Sequence, residues 1–331
     1  MSLSRRAVLP ILILAVAAVV PVAAQEPEEV PAGDAAVFQV RTISRGIHLF
    51  RPLQPTGRHT NSLVIERRDG LLVVDAQPTK EAALDLLAAI RGVTTAPLRY
   101  LVFTHPHVEA SGGSDAFPPE VLRIASRGYR DSVADPEFGY QSEWRSYRGI
   151  PEPPESAEAG PEPQRRPVAT LTLMGRTRLE DPLHPIVLLP VPHTHSPGDL
   201  LVYEPRAEIV AVGDLVFNNR NPYAGHARVK SWISQLNQLL TLNPKTIVPL
   251  RGGAVDVARV RNQRDALRWL KKQVEEQVAE RVEGQKIPAA VLKLKDADRY
   301  FNTAVAPSNL PLLVQRLVDE VRKERREQGL E

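Results

Sequence analysis

A chain of 331 residues, 43% of them hydrophobic, can bury one large core or build two small domains. Its 42 Lys and Arg against 39 Asp and Glu give a formal net charge of +3; Arg5 and Arg6 of the first segment supply two of those cations, so the rest is nearly balanced and offers no reason to propose a nucleic-acid partner. Cysteine is absent, which excludes disulfides and a lipoprotein cysteine and leaves His and carboxylates to hold any metal.

Residues 1–24 read as an export signal. Arg5-Arg6 form the charged start, Ala7 to Val20 is apolar, and Val22-Ala23-Ala24 is a small-residue cleavage site. A retained anchor is the alternative, but the apolar stretch is short for a span of ~20 residues. The mature protein is therefore expected in the periplasm or outside the cell, touching membrane only through the signal. Ser4-Arg5-Arg6-Ala7-Val8-Leu9 also resembles a twin-arginine signal, which leaves the export route open. Residues 25–36 are acidic, contain proline and read as a disordered lead-in.

Short strands are expected at Phe38 to Ile43, Ile47 to Phe50, Ser62 to Glu66 and Leu71 to Val74. A helix follows over Lys80 to Arg91, with Thr79 as N-cap, Gly92 at its end and a core face of Ala83, Leu86, Leu87 and Ile90. The apolar run Leu98 to Phe103 reads as a buried strand and leads into Thr104-His105-Pro106-His107-Val108-Glu109-Ala110-Ser111-Gly112-Gly113. In an extended segment His105 and His107 project to one side and can offer two imidazoles to one metal. The span 135–167, with Pro151, Pro153, Pro154, Pro161, Pro163 and Pro167, reads as a loop insertion. Its Phe138, Tyr140, Trp144 and Tyr147 either line a pocket or pin the loop to the surface.

Strands resume at Thr170 to Leu173, Ile186 to Leu189, Leu200 to Tyr203 and Ile209 to Val212. A helix near Val229 to Leu240 and a strand at Thr246 to Pro249 complete a core over 37–254. Residues 255–331 read as a C-terminal helical extension. Its first helix, about Val255 to Arg281, carries Val257, Val260, Leu267, Leu270, Val274 and Val278 on one face. The last, from Asn309, buries Leu310, Leu313, Val314, Leu317 and Val321. Both stripes suit packing on the core or dimerisation.

Three further clusters accompany the His-x-His pair. They are Pro192-His193-Thr194-His195-Ser196-Pro197-Gly198-Asp199, then Gly213-Asp214 at a strand end, then Val248-Pro249-Leu250-Arg251-Gly252-Gly253. In this order, with Asn61 to Ile65 and Leu71 to Asp75 upstream, they resemble the metallo-β-lactamase superfamily from about Val40 to Gly253. The resemblance implies an α/β fold, a four-layer αββα sandwich built as two similar halves, although no internal repeat shows in the sequence. It also implies a site of three histidines: His105, His107 and His195. His193, two residues earlier, competes for the last place, but the His-Ser-Pro-Gly-Asp match favours His195.

The pattern's second metal site is broken. Glu109 stands for its aspartate, Ala110 for the adjacent histidine and Arg251 for its last histidine, and neither alanine nor arginine can ligate. The expectation is one zinc ion, with iron or manganese as alternatives. Zinc on three imidazoles yields hydroxide near neutral pH to attack the carbonyl of a small-molecule ester, lactone, thioester or amide, β-lactams included. The candidate catalytic residues are Glu109 as general base, Asp214 as metal ligand or partner of its water, and Arg251 as a partner of Glu109, of Asp214 or of a substrate carboxylate. Their bland readings are a solvated loop acid, a turn aspartate and drift. Asp75 and Asp199 read more strongly as turn aspartates. His48, His59, His184 and His226 read as ordinary surface or loop histidines, with His226 the nearest to the site. A non-catalytic metal- or ligand-binding relative is the alternative reading.

Overall fold

The computed structural model describes residues 37–54, 59–135, 138, 167–218, 220–221, 223–294, 296–301 and 309–330. The expected export signal, the lead-in and most of the Pro-rich insertion, with Tyr140, Trp144 and Tyr147, lie outside the described residues.

Two mixed sheets form the centre. The first holds β1 (Phe38–Ser44), β2 (Ile47–Pro52), β3 (Ser62–Arg67), β4 (Gly70–Val74), β5 (Leu98–Val102), β6 (Leu122–Ser126) and β7 (Leu171–Leu173) in sequential order. Pairing is antiparallel from β1 to β4 and parallel from β4 to β7. The second holds β8 (Thr177–Leu179), β9 (Ile186–Pro190), β10 (Leu200–Glu204), β11 (Ile209–Gly213) and β12 (Thr246–Pro249), ordered β12-β11-β10-β9-β8. Only its β11–β12 pair is parallel. Parallel neighbours need crossovers, and helices supply them. The chain runs through α1 (Lys80–Arg91) between β4 and β5, α2 (Val108–Ser111) between β5 and β6, and α3 (Arg127–Ala134) after β6. Between β11 and β12 the crossover is α4 (Val229–Leu242).

Alternation along each strand builds the layers. Leu63 and Ile65 of β3 meet Ile186, Leu188, Leu200, Val202 and Ala211 between the sheets. Val64, between them in sequence, turns outward to the cluster under Leu86, Leu87 and Ile90 of α1. Val210 and Val212 of β11 point the opposite way, toward Trp232, Leu236 and Leu239 of α4. Both faces of the central strands are thus covered, which is why they read as continuous apolar runs. The expected αββα sandwich is the observed one.

Beyond β12 come α5 (Val257–Ala279), α6 (Ile287–Leu292), α7 (Ala297–Tyr300) and α8 (Asn309–Glu327). Asp256 caps α5 by accepting from the N–H groups of Ala258 and Arg259. Val260, Leu267, Leu270, Val274 and Val278 of α5 and Leu313, Val314 and Leu317 of α8 join the α4 cluster, so both stripes face the core of their own chain.

Candidate metal centre

The strands that end at one edge of the sandwich deliver the site. Asp75 follows β4, the loop Phe103 to His107 follows β5, residues 191–199 follow β9, Asp214 follows β11 and Arg251 comes two residues after β12. His105 and His107 lie in the loop just beyond the strand rather than on it; His107 takes the N-cap position of α2, without a side-chain cap, and α2 carries Glu109 and Ala110. Gly213 allows the close approach. At φ +54 it suits glycine, and a Cβ there would lie 2.5 Å from Thr104 Oγ1.

The imidazoles of His105, His107 and His195 have centroids 4.9–5.1 Å apart and planes inclined at 75–88°, a tripod rather than a stack. One ligand atom from each lies within 4.8 Å of the others, and all three residues are buried. Hydrogen bonds fix which nitrogens face inward. The Thr104 hydroxyl lies 2.8 Å from Asp75 Oδ2 and 3.0 Å from His105 Nδ1. When the hydroxyl gives its one proton to Asp75, His105 Nδ1–H donates to the hydroxyl oxygen and Nε2 keeps a bare lone pair. His107 Nε2 lies 3.0 Å from His226 Nδ1, which leaves Nδ1 facing inward. His195 Nδ1 faces Asp199 Oδ1 at 3.6 Å, beyond a hydrogen bond but within strong electrostatic reach.

His105 Nε2, His107 Nδ1, His195 Nε2 and Asp214 Oδ2 are buried and have no hydrogen-bond partner among the described residues. Four such atoms at one place would be costly in a purely structural cluster, and they fit a cation held by imidazole and carboxylate.

Burial, reinforced by neighbouring cations, holds His105 and His107 well below the ordinary imidazole range, in the neutral form that ligates. His195 moves the other way: burial disfavours its charge, but Asp199, Asp214 and Glu109 outweigh burial and raise it. Asp75 is pushed up to about 8, chiefly by burial, against the pull of the Thr104 hydrogen bonds. Asp199 satisfies its turn by accepting from Ser196 N–H and Oγ, as its bland reading expects, and faces His195 as well.

Glu109 is buried, not a solvated loop acid. Its carboxyl is raised by burial, with Arg251 pulling it back down and Asp214 pushing it further up. Arg251 Nη2 stands 3.3 Å from Glu109 Oε1. One grouping has no local motif: a ligand atom of His105 also lies within 4.8 Å of carboxylate oxygens of Glu109 and Asp214. The second cluster therefore keeps two carboxylates, with a guanidinium beside them.

The family model of the metallo-beta-lactamase superfamily matches residues 55–250, more than half of the chain. The chain belongs to the metallo-β-lactamase superfamily. No curated protein matches it. Among solved structures it is similar to a metallo-β-lactamase from Pontibacter korlensis, at 18% identity and TM-score 0.56 over 70% of this chain and 99% of that one. A metallo-β-lactamase from Pseudomonas aeruginosa in its mono-zinc form gives 16% and 0.52, over 68% and 92%. A stereoselective inverting sec-alkylsulfatase from Pseudomonas sp. gives 16% and 0.66, over 86% of this chain. The chain spans about half the length of the alkylsulfatase structures, the match covering 50% of those chains. At these identities the likeness is one of fold.

Around the three histidines lies a second layer that sequence motifs do not show. His226 meets His107, and His193 Nε2–H donates to the backbone oxygen of His226, away from the tripod. Phe138, at the start of the Pro-rich insertion, stacks on His107 with centroids 6.0 Å apart and lies 4.2 Å from the His226 ring. It lines the site, whereas its three aromatic companions lie outside the described residues. Phe217, Tyr223 and Trp232 surround His195. His59 and His184 pair with Asp85 and Glu204, as ordinary histidines do. His48 departs from its surface reading: on β2 it is buried, between Thr42 and Glu66, because β1 and β3 flank it.

Proposed function

We propose that the protein is an exported hydrolase holding one zinc ion on His105, His107 and His195, with Asp214 beside it, and cleaving an ester, lactone, thioester or amide. The observation that carries this reading is the convergence of three buried imidazole nitrogens without hydrogen-bond partners among the described residues, beside a guanidinium in the second cluster. A dication at Glu109 and Asp214 would face the Arg251 charge in a buried pocket, where like charges repel strongly.

Zinc on three neutral imidazoles supplies a Lewis acid and a water of pKa ~7. The chain's own groups do the rest. Asp75 and Thr104 orient His105, and Asp199 orients His195. Glu109, its carboxyl raised by burial, accepts a proton from the attacking water and returns it to the leaving group. Arg251 offers a permanent charge to a substrate anion or to charge developing at the carbonyl oxygen. Aromatic walls at Phe138, Phe217, Tyr223 and Trp232 limit water around the histidines.

One observation favours a second reading. The Arg251–Glu109 pair engages the proposed base, as expected of a non-catalytic relative that binds a metal or small ligand. Elemental analysis and a hydrolysis panel separate the two. One zinc per chain with turnover of any ester, lactone, thioester or β-lactam supports the hydrolase; turnover of a sulfate ester alone, tried because two structural neighbours are alkylsulfatases, supports a hydrolase but overturns the carbonyl substrate class. One zinc with an inert panel supports the binding protein. Two equivalents after mild dialysis overturn the single-ion reading.

A further inference from the structure

We propose that His226 is a positioning residue that fixes the metal-binding tautomer of His107, and that the C-terminal helix α8 serves the metal centre by holding His226 in place. This rests on the proposed three-histidine site. For His107 to ligate through Nδ1, its proton must sit on Nε2, and that N–H needs an acceptor. Nδ1 of His226 occupies the acceptor position, 3.0 Å away. Metal-bound histidines ordinarily give this proton to a carboxylate or carbonyl. Here another imidazole receives it, from a loop with no metal-binding motif.

That loop is fastened by a distant part of the chain. Asn309 Nδ2 donates to Asn221 O at 3.1 Å, before His226. The Arg316 guanidinium donates to Gly225 O, the carbonyl adjacent to His226. Glu320 accepts from the N–H groups of Val229 at 2.6 Å and Lys230 at 3.2 Å, after it. The last contact is a cap supplied from another helix. Arg228 at the N-cap of α4 makes no side-chain cap, and the Glu320 carboxylate meets two of the four N–H groups that a helix start leaves open. Asn309, Arg316 and Glu320 lie on one helix and bracket His226 on both sides. The His193 bond to the His226 backbone oxygen adds a fourth tether.

The test uses the full chain and three readouts: zinc affinity by competition, the visible spectrum of the cobalt-substituted protein, and imidazole nitrogen NMR of the metal-free protein. His226→Ala should lose 10- to 100-fold in zinc affinity, the range for removing such an outer partner. It should also shift the cobalt bands and mix the His107 tautomers. His226→Asn, which keeps an acceptor near the Nδ1 position, should recover most of each. The double variant N309A/R316A should weaken zinc binding in the same direction with His226 intact. Unchanged affinity and tautomer in His226→Ala, or no effect in N309A/R316A, would overturn the proposal. So would His226→Asn behaving like His226→Ala while both melt at the wild-type temperature. If the wild type binds no zinc, the hydrolase reading fails, but the metal-free NMR still decides whether His226 sets the His107 tautomer.

Discussion

Arg251 and Glu109 oppose each other at 3.3 Å with side chains only 10% and 5% exposed. Removing one partner of a buried pair leaves the other charge uncompensated, at a cost of about 3–5 kcal/mol. Arg251→Ala should therefore lower the stability of the fold, keep the zinc and reduce turnover ~10-fold or more. Arg251→Lys should recover only part, because an ammonium lacks the planar fork. Denaturant midpoints, elemental analysis and steady-state rates check this. Unchanged rates in Arg251→Ala would remove the residue from the chemistry.

The second cluster can be challenged by reversion. Arg251→His together with Ala110→His and Glu109→Asp should raise the metal content by one equivalent. Ala110 is fully buried in α2, so the new imidazole must find room beside the carboxylates. Elemental analysis of the triple variant at one equivalent would show that the pocket itself, and not only its ligands, has departed from a two-metal design.

A hierarchy among the histidines follows from their bonds. His105→Ala, His107→Ala and His195→Ala should each lose most of the zinc affinity. His193→Ala should lose much less, since its Nε2 is directed to the His226 backbone oxygen. Zinc titration of the four variants decides. Retention in His195→Ala with loss in His193→Ala would reverse the assignment.

Asp75 makes stability depend on pH. Its folded pKa of about 8 lies above the ordinary 3.8, so between those values the folded state holds a proton that the unfolded chain releases. Its contribution to the stability of the metal-free protein falls as pH rises through that window. Glu109, also raised, acts in the same sense. His105 and His107, lowered, act in the opposite sense below about pH 6.5. The difference between wild type and Asp75→Asn isolates the one residue: the variant should lose less stability from pH 5 to pH 8. Parallel curves would place the Asp75 pKa elsewhere.

Gly213→Ala should damage two things at once. A side chain at φ +54 is strained by roughly 1–3 kcal/mol. The new Cβ, 2.5 Å from Thr104 Oγ1 and 3.2 Å from His105 Nδ1, would also disturb the bond that orients His105. Both melting temperature and zinc affinity should fall. Loss of stability with full affinity would show that Thr104 yields without moving His105.

The fold was readable because both faces of the central strands are buried. Continuous apolar runs at Leu71 to Val74, Leu98 to Phe103 and Ile209 to Val212 stand out from their polar flanks. The α1 helix, with Thr79 as cap, and the stripes of α5 and α8 obey simple periodicity. β6 (Leu122–Ser126), β8 and α3 do not stand out. Thr177-Arg178-Leu179 is too short to show a period. Arg127-Gly128-Tyr129 is a poor helix start, rescued by the Ser126 cap and by burial of Tyr129. The site divides in the same way. His105, His107, His195 and Asp214 sit in local motifs, whereas the role proposed for His226 depends on a partner 119 positions away. The burial of Glu109 follows from tertiary packing around a four-residue helix, which no local pattern encodes.

The proposed ligands come from both sheets. His105 and His107 extend from the first, and His195 and Asp214 from the second. A bound ion would act as a cross-link between the halves of the sandwich, present only in the native state. At a free zinc concentration 1,000 times its dissociation constant, such an ion adds about 4 kcal/mol to folding. Chelation would remove that link and let the two halves unfold more independently, so the sharpness of the melting transition, as well as its temperature, should report on the ion.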